Sequence, residues 1–202
     1  MDCAKIAAGL TAASCGKMAT SGTGTKVVLM NYDDIDKASS TVSSGVCTSL
    51  VLNENKLAYL FESIDKATTG EATFAKGTYI DSYDHAVTLR IFVKDQLSKN
   101  FINSLTNARV VAIVENRATG ASGNTKYEVY GWDSGLKLSE NAFTTDFADN
   151  VVFAAKLASD DNSKEGQLPL SYFASTLAAT ETALAGLYTA PTPPEGEPPE
   201  GE

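Results

Sequence analysis

Apolar and polar positions alternate most regularly over residues 86–94, where Val87, Leu89, Ile91 and Val93 interleave with Thr88, Arg90, Phe92 and Lys94. A period of two marks a strand with one buried face. At Asp95 the period changes. Leu97, Phe101 and Leu105 recur every four residues with Ile102 beside them, which predicts a short amphipathic helix capped by Asp95. Residues 110–114, Val-Val-Ala-Ile-Val, are apolar on both faces, so this strand should lie under the helix and against a further layer.

Similar patterns extend in both directions. Val27 to Met30 follow a glycine-rich lead and predict the strand that starts the core. Residues 33–44 are polar and acidic and read as a surface loop. Two apolar runs flank Asn53-Glu54-Asn55, which is hairpin chemistry because Asn tolerates left-handed backbone, so the runs are expected to pair. Residues 66–84, rich in Thr and Gly with scattered aromatics, suit an extended arm or irregular hairpin. Asn116 to Thr125 reads as a loop tip. Two strands are expected around Gly131-Trp132-Asp133-Ser134-Gly135, whose glycines permit a reversal or bulge. Residues 151–159 predict another strand, and residues 175–188 a helix through Leu177, Leu184 and Leu187.

Strands first, then a helix, then more strands predict a mainly β (α+β) protein: a β-sandwich or barrel with one flanking α-helix, a long arm loop and extended termini. Residues 1–25 are assigned to an N-terminal arm, 26–188 to a single β-rich domain in which 33–84 contains an inter-subunit arm, and 189–202 to a Pro/Glu-rich disordered tail.

Composition narrows the function classes. The 202 residues carry a net charge of -9 and are 43% hydrophobic, which fits one globular core and opposes tight nucleic-acid binding, since that requires clustered cations. The three cysteines, Cys3, Cys15 and Cys47, are an odd number without C-x-x-C spacing and do not make a disulfide framework. A small-residue run ends at Cys15, but Asp2 replaces the positive charge a cleaved signal would start with. No apolar run is long enough to span a bilayer as a helix.

Candidate chemistry is sparse. Gly9 to Lys17 lacks the spacing of a phosphate loop and is followed by Met18. In Asp160-Asp161-Asn162-Ser163-Lys164-Glu165-Gly166, Lys164 falls where a calcium loop needs a ligand, so a solvated turn is expected. The acidic cluster Asp33, Asp34 and Asp36 is also read as solvated. His85, the only histidine, follows Asp84, but no nucleophile motif accompanies the pair, and the histidine is expected to close a turn at a strand entrance. No catalytic, cofactor or metal residues are assigned. Tyr127, Tyr130 and Trp132 form an aromatic set in which alternation places Tyr130 and Trp132 on one face and Tyr127 with Val129 on the other. One pair is expected in the core and the other at a surface or interface.

From VTLRIFVK through DQLSKNFINSL and RVVAIVEN to KYEVYGWDSGLKLSE, and on to SDDNSKEGQLPLSYF, the chain resembles the tail-tube proteins of tailed bacteriophages. The resemblance covers about residues 80–173 and leaves the N-terminal third and the Pro-rich tail outside. It implies a barrel or sandwich with a flanking helix, assembled into rings, commonly hexameric, that stack into a hollow tube. Neighbouring barrels would continue each other's sheets, with a long loop and terminal arms joining rings. The partners implied are further copies of the chain and other tail proteins, with DNA only passing through the lumen and no membrane. The place implied is the virion tail, assembled in the host cytoplasm. Candidate interface residues are Tyr32, Asp33, Asp34, Phe74, Tyr79, Tyr83, Tyr130 and Trp132.

Two other readings stay open. A terminator or ring protein would share this fold class and form a single ring. A surface β-sandwich binding module would use Trp132 and Tyr130 as a ligand platform. An enzyme reading has only His85 to rest on.

Overall fold

The computed structural model describes residues 22–120, 122–143 and 151–189, with Asn141 and Ala142 described by main chain alone. Among these residues eleven strands and two α-helices follow in the order β1 (Thr23–Asn31), β2 (Thr41–Ser43), β3 (Val46–Ser49), β4 (Tyr59–Glu62), β5 (Thr69–Ala75), β6 (Ser82–Ile91), α1 (Gln96–Leu105), β7 (Arg109–Asn116), β8 (Tyr127–Tyr130), β9 (Leu136–Phe143), β10 (Phe153–Ser159), β11 (Leu170–Tyr172) and α2 (Leu177–Tyr188). The protein is mainly β, as expected, with two helices flanking one sheet. The assignments to residues 1–21 and 190–202 lie outside the described residues.

The core is built around β1 and β7, which pair antiparallel with Val28 opposite Ile113 and Met30 opposite Val111. Both strands are apolar on both faces, and each face meets a different layer. Val27, Leu29, Val110, Ala112 and Val114 join Val87, Leu89, Ala155 and Leu157 beneath Ile102 and Leu105 of α1. Val28, Met30, Val111 and Ile113 join Val129, Leu170 and Tyr172 against Leu184 and Leu187 of α2. Burying each such aliphatic side chain contributes about 1.5–3 kcal/mol, so the doubly apolar pattern of residues 110–114 fixes this strand in the middle.

The other edge of β7 explains the glycine-flanked tryptophan. Ala112 pairs with Tyr130 of β8 and Val110 with Leu136 of β9, so Gly131 to Gly135, five residues, stand opposite the lone Val111. β8 and β9 are therefore one line of strand interrupted by a large bulge, closed by a hydrogen bond from Gly135 N–H to Gly131 O at 2.9 Å. On its far side β8 pairs with β11, whereas β9 pairs with β10. The sheet forks at the bulge, one branch running β11-β3-β2 and the other β10-β6-β5. Gly131 (φ 77°) and Gly135 (φ 76°) occupy left-handed backbone. A Cβ on them would come within 2.7 Å of Leu136 Cγ and 2.6 Å of Arg109 Cγ, so the bulge needs glycine at both ends.

Several expectations change. The runs around Asn53-Glu54-Asn55 do not pair: β3 lies parallel to β11, and β4 lies antiparallel to β1. Asn55 does take the left-handed conformation (φ 61°), but the turn carries the chain from β3 to β4, which lies on the outer side of β1. Residues 33–84 are partly packed into the core, with Ile35, Cys47, Leu50, Ala58 and Ala67 buried. Within that stretch β5 and β6 form the hairpin expected over 66–84, with Phe74 opposite Tyr83. In α1, Asp95 caps the helix by accepting from Ser98 N–H at 2.7 Å, but Leu97 points outward and is 76% exposed. The inward stripe is Ile102 and Leu105, with Phe101 half-buried against Phe61 at a ring separation of 5.7 Å.

Candidate functional site

Two places in the fold gather the residues singled out from the sequence. The first is the β5–β6 hairpin. Phe74 is exposed and meets half-buried Tyr83 edge-on at 5.9 Å, while Tyr79 in the connecting loop is 96% exposed and Ile80 beside it is also exposed. Large apolar side chains clustered on a projecting hairpin mark a contact surface more often than isolated exposed ones do. Beyond them the outer edge of β5 is open: among the described residues it pairs only with β6. β4 likewise pairs only with β1, and β2 only with β3, which leaves three sheet margins able to accept another strand.

The second place is the bulge, which a knot of polar groups holds. Glu165, 1% exposed, accepts from the N–H groups of Asp133 at 2.7 Å and Ser134 at 3.0 Å. Asp133 in return accepts from Gly166 N–H at 3.0 Å. Lys37 donates to the Trp132 carbonyl at 2.6 Å and lies 4.0 Å from the Tyr32 ring centroid, and Tyr32 donates its hydroxyl proton to the Asp133 carbonyl. Arg109 stacks on the same ring at 3.5 Å and reaches Asp33 at 3.3 Å. Asp34 pairs with Lys56 at 3.2 Å and accepts from the Asn31 amide at 2.9 Å. Tyr32 and Asp33 therefore brace the bulge, and Asp34 pins the turn before it. Exposed ion pairs of this kind add little stability, so the contacts of buried Glu165 and half-buried Lys37 matter more.

His85 completes the knot and is also 1% exposed. Its Nδ1 accepts from Gly131 N–H at 3.3 Å, and its Nε2 lies 2.9 Å from the Gln167 carbonyl, which fixes the neutral tautomer with the proton on Nε2. Burial holds its pKa below the ordinary value, against the pull of the Gln167 carbonyl and the nearby carboxylates of Asp133 and Asp84. Burial pushes the Glu165 carboxyl the other way, up, against its two N–H donors. The imagined Asp84–His85 pair is not formed. Strand alternation sends the Asp84 side chain to the opposite face, where it binds Lys164. Both imidazole nitrogens meet main-chain groups, an arrangement that positions a loop.

Tyr130 and Trp132 correct the aromatic reading. Tyr130, 4% exposed, packs against the His85 ring at 5.7 Å in the α1-side core and donates to Glu128 at 3.0 Å. Trp132, 9% exposed, belongs to the α2-side core with Tyr127 and Val129. Strict alternation would put Tyr130 and Trp132 together, but the left-handed turn at Gly131 swings the chain across. Both side chains are buried within this fold.

The sequence reading missed Lys37 and Glu165, which lie in polar stretches with no periodicity to set them apart. Glu165 belongs to the expected solvated turn. Asp160 behaves as expected there, accepting from Asn162 N–H at 3.3 Å and pairing with Lys137 at 2.8 Å, but Glu165 turns inward. It also missed the β4 margin, where Ile64, Val93 and Leu97 are exposed around a groove. Among the described residues no group of three or more His, Cys, Asp or Glu is arranged to hold a metal ion, and no helix is long and apolar enough to cross a membrane.

No family model, curated protein or solved structure matches this chain.

Proposed function

We propose that this protein is a structural subunit of a bacteriophage tail tube, self-assembling into stacked rings that form the conduit for DNA ejection. The observation that carries the reading is the pair of open sheet margins at β4 and β5, each beside exposed apolar side chains. A strand edge with unpaired N–H and C=O groups is a template for a further strand, and a closed ring of copies in which β4 meets β5 satisfies both of these edges. The two margins lie on different strands, so their pairing between copies is head-to-tail, the geometry that closes into rings.

The net charge of -9 supports the same reading, because an acidic wall repels the DNA backbone and lets it pass without adhering. The partners are then other copies of the chain, other tail proteins and DNA in transit, and the place is the virion tail after assembly in the host cytoplasm. Phe74, Tyr79, Tyr83 and the exposed Asp33 remain as interface residues, whereas Tyr32 and Asp34 hold the bulge and the turn before it.

The test is negative-stain electron microscopy of the purified chain over a concentration series. Stacked rings or tubes are expected. Single rings that never stack would replace the tube reading with a terminator, and a strictly monomeric protein at high concentration would overturn both.

A further inference from the structure

Two uncovered apolar surfaces stand at opposite ends of β6. Where the strand finishes, an open groove of about 540 Å³ runs between β4, residues 90–93 and the first turns of α1, lined by half-buried Phe61 and Phe101 and by exposed Ile64, Val93 and Leu97. Where the strand begins, the β5–β6 loop carries exposed Tyr79 and Ile80, with Phe74 exposed behind them. Covering either would remove apolar surface from water. Within one molecule they cannot cover each other, because the ten extended residues of β6 hold them about 30 Å apart. A second copy meets no such obstacle.

The two surfaces are complementary in charge. Three charged residues line the groove: Glu62, Asp95 and Arg90, and the last is already bonded through Nη1 to the Ala67 carbonyl at 2.6 Å. In the loop, Asp81 closes the turn by accepting from Gly77 N–H at 3.2 Å, which leaves exposed Lys76 as the uncommitted charge. Among the described residues neither Glu62 nor Lys76 enters an ion pair.

The open margins can bring these surfaces together. Laid along β4 in the same direction, β5 of a second copy carries its tip past Glu62 to Ser63 and Ile64, where the groove lies. The faces also agree. Phe61 stands opposite Val27 and Gly70 opposite Val87, both in the α1-side core, and Phe74 shares the face of Gly70. Phe74 would therefore extend the same apolar face that Phe61 begins.

We propose that the β5–β6 tip of one copy docks in the groove of the next, with Tyr79 and Ile80 against Ile64, Val93 and Leu97 and with Lys76 paired to Glu62. The inference rests on the self-assembly proposed above and names the surface that receives the hairpin. Each copy then gives one tip and takes one, which is a head-to-tail contact.

Photo-cross-linking of the full chain tests it. With p-benzoylphenylalanine in place of Tyr79, irradiation is expected to join residue 79 to residues 60–64 or 90–101 of a second copy, as located by mass spectrometry of the cross-linked dimer. Glu62→Lys and Lys76→Glu, both at exposed positions, should each lower the yield about fivefold, and the two together should restore it, which general destabilisation would not do. Yields indifferent to either charge reversal would strike out the Lys76–Glu62 pair. Rings whose cross-links fall elsewhere would overturn the docking and leave self-assembly standing. Monomer alone, with no intermolecular product at high concentration, would overturn both.

Discussion

Gly131 donates its N–H to Nδ1 of His85 across 3.3 Å, so the only histidine in the chain holds the residue at which the sheet forks. Proton uptake at Nδ1 would set two donors against each other and release Gly131. His85 has a folded pKa below its ordinary value of 6.5, so its contribution to stability is complete above pH 6.5 and is lost as pH falls toward the folded value. Glu165 acts in the opposite direction. Its folded pKa is raised above 4.5, so its contribution is present below pH 4.5 and is lost as pH rises through the folded value. Thermal melts of the wild type and His85→Gln between pH 7.5 and 5 separate the two. The variant should start lower and lose less on acidification, because only the Glu165 response remains. An identical pH slope in both proteins would show that His85 is not the titrating group.

Gly131→Ala tests the bulge itself. The new methyl would require left-handed backbone and would press on buried Leu136, for a loss of about 2–4 kcal/mol from strain and overpacking together. Urea denaturation measures it. A loss below about 0.5 kcal/mol, ordinary for surface changes, would mean that the five-residue bulge is not rigidly held.

Glu165→Gln removes one of two acceptor oxygens from a buried site and turns an amide NH2 toward a main-chain donor. The expected cost at pH 7 is about 1–3 kcal/mol, the range for leaving a buried donor unpaired. Amide hydrogen exchange at Asp133 and Ser134 should accelerate in the variant relative to residues of β1. Unchanged protection at those two amides would rule out the carboxylate as their partner.

How much of this was legible in the sequence depended on periodicity. The strand pattern over 86–94, the apolar strand through 110–114, the cap at Asp95 and the hairpin over 66–84 follow from local patterns, and the structure contains each of them, although the first strand ends at Ile91 and leaves Val93 exposed. Pairings between distant segments do not, because β3 with β11 and β4 with β1 are chosen by which faces remain to be buried after the core strands have met. Leu97 shows a local limit. Four apolar residues on a ten-residue helix exceed what one stripe can bury, and spacing alone could not say that the first of them would be left outside. Trp132 shows another: alternation holds only while the strand continues, and Gly131 ends it. Glu165 and His85 carried no sequence signal of burial, since a lone carboxylate in a polar turn and a lone histidine beside an aspartate usually face water.

The face assignment of α1 is open to a direct comparison. Ile102 is buried in the core, and Ile102→Ala should cost about 2–5 kcal/mol, whereas Leu97→Ala should change stability by less than about 0.5 kcal/mol. Equilibrium unfolding of both variants checks it. Comparable losses at the two positions would show that the helix lies with a different face on the sheet.

Assembly and stability should come apart on the β5–β6 hairpin. Tyr79 is 96% exposed and Phe74 is exposed beside the open edge of β5, so Tyr79→Glu and Phe74→Glu remove little from the folded monomer, on the order of 0.5 kcal/mol each. At a contact between copies the same changes bury a carboxylate without a partner, which disfavours association by several kcal/mol. Sedimentation velocity and negative-stain images of the double variant should therefore show folded monomer at concentrations where the rings proposed for the wild type form, with melting temperatures nearly equal. Rings of undiminished stability would move the contact away from the hairpin and leave β4 as the margin to test next, through Tyr59→Glu. If that variant also assembled normally, edge pairing would fail as the basis of assembly.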